Sequence, residues 1–348
     1  MSKNIAVKRF GDCRQSLLFS NTSLWDCRNQ VSFLESIQVV ENCLVDRGQG
    51  TVSANSDRAV QIRSHVKMAI DFWDQAEMSG RSSASLVSAY YCGLNMMKAC
   101  VLFSDGFASI SVPENMRHGL KRNSPPAGAR AKFSDESVLV HEEGAFAQIY
   151  KAMTGAPIAR RSFVLKPILA DIAVINTECQ DCGIAALDIV GFQFELVENG
   201  SKRQLMAKWG LRSSAVSPHP EDFAFFKDGW VVQPSGSFVY EISDAGMGEK
   251  EFVDLAVRRE LCLIEMFPQE ENFTMVTKAK SGFPQECSML LALFSLSSIA
   301  RYDPMALERL NLSAEWPLVL SLRRASLVYL ARVLIGFAFG RDIAYTYP

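Results

Sequence analysis

The sequence predicts a mostly helical α+β protein in which an antiparallel β meander interrupts a helical bundle. Helical spacing of apolar residues runs through residues 56–103 and returns after residue 286, whereas strict alternation of apolar and polar residues begins near residue 188. An order of helices, then strands, then helices again is typical of α+β proteins and not of repeated βαβ units.

Two helices are predicted in the first part of the chain. One begins near Ser56, with Asp57 in its first turn, and ends at the turn-like segment after residue 78. The second extends from about Ser83 to Phe103. Its apolar residues recur every three or four positions and so line one buried face: Leu86, Tyr90, Leu94, Met97 and Val101.

A polar stripe runs along the second helix beside this apolar face. Ser88, Tyr91, Asn95 and Lys98 fall within one sector when successive residues are placed about 100° apart. Such a stripe is typical of a helix-to-helix contact or of a solvated surface. It also fits a groove that binds a ligand, and the sequence leaves these alternatives open.

Antiparallel strands are predicted in the centre of the chain, where residues 184–243 form the meander. Residues 203–211 return beside the first strand, and residues 229–243 form a second hairpin after a helical piece at residues 219–226. The first strand is identified by apolar residues at alternate positions, namely Val190, Phe192, Phe194 and Leu196.

Shorter elements and further helices complete the prediction. A strand at residues 137–142 and a helix beginning near Gly144 precede the meander. The last third of the chain is helical again, with one helix at residues 286–301 and another that begins near Ala314. The apolar stripe of the last helix consists of Leu320, Leu327, Leu330, Leu334 and Phe337.

These elements divide the chain into four predicted parts. Residues 1–55 pack on the core, and residues 56–183 form the first helical region. Residues 184–243 form the meander, and residues 244–348 form a helical region that completes the bundle.

The composition is that of a folded protein, with 48% hydrophobic and 21% charged residues, and it excludes extensive disorder. The 36 basic and 38 acidic residues nearly cancel, so nucleic-acid binding has to rest on a local patch. The number of cysteines, nine, is odd, and several of them lie within apolar helical patterns, which favours reduced thiols over disulfides. The N-terminus has no apolar run like that of a signal peptide, and the apolar segments at residues 287–300 and 332–340 are too short to span a bilayer. We therefore expect a cytoplasmic protein without membrane contact.

A basic segment follows the second helix. Local positive charge of this density can hold phosphate oxygens, which makes nucleic acid a candidate partner. The same charges can equally pair with the acidic segment at residues 134–143, as a surface region of salt bridges. The basic residues, with no acid between them, are Arg117, His118, Lys121, Arg122, Arg130 and Lys132.

Other site chemistry has little support in the sequence. Cys179 and Cys182 have the spacing of half a zinc site, but no second pair of ligands accompanies them, so thiols are the default. His141 lies beside Glu142 and Glu143, although charged strand ends that face water are commoner than metal sites of this kind. The chain has no phosphate-binding loop and no nucleophile elbow. No metal and no cofactor are therefore expected.

Two separated parts of the chain resemble the YaaC-like protein family. "YYCGLNMMKACVLF", "RHGLKR" and "FSDESVLVHEEGAF" resemble its Tyr-Gly-Leu and Lys-Ala helix, its His-Gly-Leu motif and its acidic strand leading to Gly-x-Phe. "LLALFSLSSIARYDPMAL" resembles its C-terminal helix, which ends in Ala-Arg-Tyr. The departure lies in the linker after His-Gly-Leu, where this chain has the extra "NSPPAGA". The resemblance implies a mostly helical bacterial protein and transfers a fold more than a function.

The helix followed by a loop histidine also resembles the HEPN superfamily of helical domains. Those domains occur as metal-independent RNases and as non-catalytic partners in toxin–antitoxin and phage-defence systems, so the resemblance implies one of these roles. The RNase members use an Arg followed a few residues later by a His. Such a spacing occurs here from Arg212 to His219, in the strand-rich centre, and we attribute it to chance.

We therefore predict a non-catalytic accessory or binding protein that acts with a protein partner or as a homo-oligomer, and with nucleic acid, in bacterial anti-phage defence or stress. The alternatives are an RNase that uses His118 as its catalytic residue and a sensor of a nucleotide or small molecule. If the family-like segments pack together, Lys98, His118 and Arg301 border one cleft. The candidate binding residues are Tyr91, Asn95, Lys98, Arg117, His118, Lys121, Arg122, Arg130, Lys132, Arg301 and Tyr302.

Overall fold

A computed structural model of the protein shows a mostly helical α+β fold, which confirms the predicted class. A helical core carries most of the buried apolar residues, and antiparallel sheets accompany it. The structure describes residues 6–9, 17–19, 24–46, 48, 51–80, 82–104, 117–123, 132–184, 189–199, 202–209, 230–232, 238–242, 264–265, 273–277, 283–339 and 343–345.

Ten α-helices lie in the described part of the chain. They are α1 (Leu24–Ser32), α2 (Ile37–Asp46), α3 (Val52–Met78), α4 (Ser83–Phe103), α5 (Ala145–Thr154), α6 (Leu165–Ala170), α7 (Asn176–Asp181), α8 (Gln285–Tyr302), α9 (Pro304–Asn311) and α10 (Trp316–Phe339). Helix α4 is central, because it packs against α3, α8 and α10.

Helix α4 has the bounds that its periodicity predicts. All five residues of its predicted apolar face are buried. In the described part of the chain, α4 is also the one helix whose length and composition would let it cross a membrane, and most of it is buried inside the protein.

Gly93 allows the neighbouring helices to approach the backbone of α4 closely. A Cβ atom at this position would lie 2.8 Å from Cδ1 of Leu330 in α10 and 3.5 Å from Cδ2 of Leu290 in α8. Because real Cβ contacts are longer than 3 Å, the missing side chain is what lets Leu330 rest on the helix. The glycine of the "YYCGL" stretch therefore has a packing role.

The helix boundaries differ from the prediction at two places. Helix α3 begins at Val52, four residues before Ser56. Helix α9 was not predicted, although its start carries a recognisable signal: the Asp303 carboxylate accepts a hydrogen bond of 2.9 Å from the Ala306 amide, and Pro304 occupies the first turn. An Asp-Pro pair after a helix can start the next helix as well as end the first.

The first part of the chain also contributes helices to the core. Val31 of α1 and Leu44 of α2 are fully buried. The Arg28 guanidinium donates to both carboxylate oxygens of Asp74, at 2.9 and 2.7 Å, and so links α1 to α3. The weak periodicity of this segment did not identify its helices.

Twelve strands lie in the described residues. They are β1 (Ala6–Arg9), β2 (Leu17–Phe19), β3 (Leu120–Asn123), β4 (Ser137–Val140), β5 (Arg161–Val164), β6 (Ile189–Asn199), β7 (Lys202–Trp209), β8 (Trp230–Val232), β9 (Phe238–Ile242), β10 (Ile264–Glu265), β11 (Phe273–Thr277) and β12 (Ile343–Tyr345). Strands β3, β4 and β5 form a small antiparallel sheet in that order, and β2 pairs with β12 in parallel.

The large sheet contains the predicted hairpins in a different strand order. Strand β6 pairs with β7 and β8 pairs with β9, both antiparallel. Strand β7 then pairs with β9 instead of β8, so the order is β10-β11-β6-β7-β9-β8, and β1 also pairs with β6. Strand β6 pairs with β7 along one edge and is long enough for two short strands to pair along the other. These are β1 and β11, which lie outside residues 184–243. The division of the chain into four parts stays a prediction, and the helical piece at residues 219–226 lies outside the described residues.

Candidate functional site

The backbone around His118 is fixed to the segment that starts helix α5. The Ala145 amide donates to the Arg117 carbonyl at 2.8 Å, and the Phe146 amide donates to the His118 carbonyl at 3.2 Å. The first amides of a helix have no partner within the helix, so these carbonyls satisfy two of them. The His-Gly-Leu and Gly-Ala-Phe stretches thus form one structural unit.

Two glycines make this contact close enough. Gly119 and Gly144 have φ angles of +71° and +103°, in the region that side chains other than glycine rarely adopt. A Cβ atom on Gly144 would lie 2.6 Å from Cα of Gly119, and one on Gly119 would overlap the carbonyl oxygen of Glu143. Two backbones therefore touch directly beside His118, and the position of its imidazole follows from that contact.

Tyr90 holds the His118 imidazole from the side of α4. The Tyr90 hydroxyl lies 2.9 Å from Nδ1 of His118, and Phe294 of α8 packs against both rings. Burial raises the pKa of Tyr90, so its hydroxyl stays protonated. The hydroxyl and Nδ1 share one hydrogen bond, in which the hydroxyl donates when the imidazole carries its proton on Nε2 and accepts when the proton is on Nδ1.

Arg301 joins the end of α8 to the polar stripe of α4. Its guanidinium donates to the Tyr91 hydroxyl at 3.1 Å and to the Ser297 carbonyl at 3.2 Å. Its Cζ atom lies 5.7 Å from the Tyr91 ring centroid and 4.9 Å from that of Tyr302. Phe72 of α3 stacks on the Tyr91 ring at 5.2 Å, so the tyrosine that receives Arg301 is itself held in place.

Asn95 and Lys98 complete the stripe next to α3. The side-chain oxygen of Asn95 lies 2.9 Å from Nδ1 of His65, and its amide group donates to the Tyr91 carbonyl at 2.8 Å. Since the Asn95 oxygen can only accept, Nδ1 of His65 is the donor. Burial lowers the pKa of Lys98, and burial together with Lys98 lowers the pKa of His65, although the Asn95 hydrogen bond opposes this.

The structure brings Arg301 and His118 to the same tyrosine: the Arg301 guanidinium donates to the Tyr91 hydroxyl at 3.1 Å, and the ring centroids of Tyr91 and His118 are 5.7 Å apart. Lys98 lies on the same face of α4 as Tyr91, two helical turns further on, and that the three residues border one cleft stays a prediction. Burial lowers the pKa of His118, and the positive charges of Arg301 and Lys98 lower it further. We call Tyr91, Lys98, His118 and Arg301 the cationic cluster. Within the described residues, no carboxylate is hydrogen-bonded or ion-paired to any of these four side chains.

Arg122, in contrast, is committed to a structural ion pair. Its guanidinium donates to both oxygens of Glu136, at 2.7 and 2.6 Å, and to Asp303 at 3.3 Å. The Arg122 and Glu136 side chains are only 8% and 4% exposed. Arg122 therefore pairs with the acidic segment, which is one of the two alternatives that the sequence left open.

The remaining candidates from the basic segment do not join the cluster. Arg117, Lys121 and Lys132 are exposed, and Arg117 contributes its backbone carbonyl to the α5 contact. Arg130 lies outside the described residues, as does the Arg212 to His219 spacing. A role of these residues in binding stays a prediction.

Two contributors to the site were not predicted. Tyr90 was assigned to the apolar face alone, and only its hydroxyl makes it a partner of His118. His65 was not among the predicted site residues, although its spacing of seven residues from Phe72 puts both on the face of α3 that meets the polar stripe. The sequence did offer one indication for Tyr90: a tyrosine on the buried face carries a hydroxyl that needs a hydrogen-bond partner.

Cys179 is a buried thiol, and Cys182 is half-buried. Burial raises the pKa of the Cys179 thiol to about 12 and also raises that of Cys182. Among the described residues, no three His, Cys, Asp or Glu side chains form a group that could hold a metal ion.

The comparisons with known proteins identify the family. No curated protein and no solved structure matches the chain, so the likeness to HEPN domains stays a prediction. The matching family model covers residues 32–326, which include the whole cationic cluster and strands β6 to β11 of the large sheet. The match therefore extends further than the two stretches that carry the resemblance in the sequence. The chain belongs to the YaaC-like protein family.

Proposed function

We propose that this protein is a binding protein without catalytic activity, and that its cationic cluster holds a phosphate group of an anionic ligand. One observation carries the proposal: the cluster brings together hydrogen-bond donors and positive charges that no carboxylate among the described residues neutralises. A phosphate group presents several acceptor oxygens and negative charge, and so supplies what the cluster lacks.

Each member of the cluster can donate to such a ligand. Lys98 has three ammonium hydrogens, and Arg301 keeps N–H groups beyond those used by Ser297 and Tyr91. Because the Tyr91 oxygen accepts from Arg301, its own O–H remains available to donate. His118 offers Nε2, which is a donor in the imidazolium and in the tautomer with Nε2 protonated, since its Nδ1 is engaged with Tyr90.

The half-buried state of the cations supports a ligand. Lys98 and Arg301 are partly withdrawn from water, which disfavours a charge unless an opposite charge or hydrogen bonds compensate. A bound anion would provide that compensation. The lowered pKa values of Lys98 and His118 reflect this cost, because burial disfavours the charged form of each group.

The proposal is tested by titrating the protein with inorganic pyrophosphate in a calorimeter. Arg301→Gln and Lys98→Met should each weaken binding about tenfold or more, because each removes a charge-assisted hydrogen bond. The controls are Arg309→Gln on the exposed face of α9 and Lys151→Met on the exposed face of α5, which should leave binding unchanged. Equal affinities for all four variants would refute the anion site.

The second candidate function is a metal-independent RNase that uses His118. The observation in its favour is an imidazole flanked by Arg301 and Lys98, because cationic groups stabilise the charge that develops during phosphodiester cleavage. A hydrogen bond donated by Tyr90 to Nδ1 would oppose it, since that tautomer has a protonated Nε2 instead of a free base. Purified protein and its His118→Ala variant, incubated with labelled RNA, decide between the two. Cleavage by the wild type that the variant lacks would favour the enzyme.

We also propose that the protein is cytoplasmic and acts in a complex, with a protein partner or a second copy of itself. A pull-down with and without added nuclease, followed by a size measurement, separates a protein partner from one held through nucleic acid. A role in bacterial defence stays a prediction from the HEPN resemblance. An identified nuclease or ATPase among co-purifying proteins would support it.

A further inference from the structure

An exposed aromatic ring lies directly beside the cationic cluster. Tyr302, the last residue of α8, is 75% exposed. One side of its ring meets the Arg301 guanidinium, whose Cζ lies 4.9 Å from the ring centroid. The same guanidinium donates to Tyr91 in the cluster. A single arginine thus connects the anion site with an accessible ring.

The arginine also contacts one face of this ring. A guanidinium over an aromatic face is attracted by the electron density of that face, and Arg301 is anchored by the Ser297 carbonyl and the Tyr91 hydroxyl. The Tyr302 ring therefore lies beside the cluster while most of its surface remains open to solvent. An accessible ring of this kind offers a planar ligand a stacking surface.

We propose that Tyr302 stacks on the base of a nucleotide whose phosphate occupies the cationic cluster. The inference rests on the phosphate site proposed above and names the class of ligand. Arg301 is the member of the cluster that reaches both places, because its Cζ lies 5.7 Å from the Tyr91 ring centroid and 4.9 Å from that of Tyr302. Recognition through a phosphate contact and a stacked base is how proteins bind single-stranded nucleic acid and free nucleotides without reading sequence.

The stacking step is tested by comparing ligands that differ only in the base. Adenosine 5′-monophosphate should bind about tenfold more tightly than ribose 5-phosphate, and Tyr302→Leu should remove this difference. Tyr302→Phe should retain it, because the ring remains. Since Tyr302 is exposed, both variants should keep the melting temperature of the wild type, which is measured in parallel.

The outcomes separate this inference from the proposed function. If pyrophosphate binds but the two sugar phosphates bind equally, or if Tyr302→Leu leaves their difference intact, stacking is refuted and the anion site stands. If pyrophosphate does not bind either, both fail.

Two further arms identify the source of the nucleotide. A single-stranded RNA hexamer that binds more tightly than the mononucleotide assigns the site to nucleic acid, and equal affinity assigns it to free nucleotides. A duplex of the same sequence has its bases already stacked and should bind more weakly than the single strand. A duplex that binds as well as the single strand would overturn the stacking proposal.

Discussion

Replacing Gly119 by alanine should destabilise the protein far more than an ordinary glycine-to-alanine change. Gly119 has a φ of +71°, and an added Cβ would overlap the Glu143 carbonyl oxygen and lie 3.3 Å from Cα of Gly144. Backbone atoms cannot rotate away as a side chain can, so the two segments would have to separate. The substitution therefore perturbs the contact that positions His118.

The magnitude follows from two contributions. Placing a side chain in the left-handed region costs about 1–2 kcal/mol. Separating the segments breaks three backbone hydrogen bonds, from the amides of His141, Ala145 and Phe146, at 2.9, 2.8 and 3.2 Å. At about 0.5–1.5 kcal/mol each, these add roughly 1.5–4.5 kcal/mol. Gly119→Ala should thus lower the free energy of unfolding by about 2.5–6.5 kcal/mol.

Gly155 provides the matched control. It has a φ of +74° at the C-terminal end of α5, and a Cβ there would meet nothing within 4 Å. Gly155→Ala should therefore cost only the conformational contribution, about 1–2 kcal/mol. The assay is urea unfolding followed by tryptophan fluorescence, with buried Trp73 as a reporter. If Gly119→Ala is no more destabilising than Gly155→Ala, the close contact between the segments is not what holds His118.

Two further predictions concern the ion pair and the histidines. Arg122→Met should lower the free energy of unfolding by about 3–5 kcal/mol, because it leaves the buried Glu136 carboxylate without its guanidinium partner. The double variant Arg122→Met with Glu136→Gln should recover much of the lost stability, and urea unfolding measures both. The pKa values of His65 and His118 are lowered mainly by burial, so below about pH 6.5 the unfolded chain binds their protons first. Stability should then fall with acid by up to about 1.4 kcal/mol per pH unit for each histidine. The fall in stability with acid should be shallower in His65→Asn and in His118→Asn than in the wild type. Urea unfolding between pH 7 and about 5.5 measures this dependence, and equal slopes in the wild type and both variants would contradict the prediction.

The sequence predicts well those features that depend on neighbours along the chain. The bounds of Ser83–Phe103 and its buried face follow from helical periodicity. The alternation around Phe194 correctly indicates a strand paired with residues 202–209. Grouping Lys98 with Tyr91 and Asn95 also required only the geometry of one helix.

Features that depend on remote contacts were beyond such patterns. Periodicity identifies which face of α4 is polar, but it does not show that Arg301, 210 residues from Tyr91, is the partner of that face. The pairing of β7 with β9 is likewise a choice between strands of similar pattern. The family resemblance, and no local rule, brought Arg301 and His118 together in the prediction.

The pKa of His118 in the presence of an anion tests the central claim most directly. Histidine NMR signals are followed against pH with and without saturating pyrophosphate, and His118→Asn assigns the signal. Without ligand the pKa should lie below its ordinary value of about 6.5, because burial and two neighbouring cations disfavour the imidazolium. Bound pyrophosphate should raise it, since a nearby negative charge stabilises the protonated ring. A pKa that pyrophosphate leaves unchanged, while binding is observed, would show that the anion binds elsewhere.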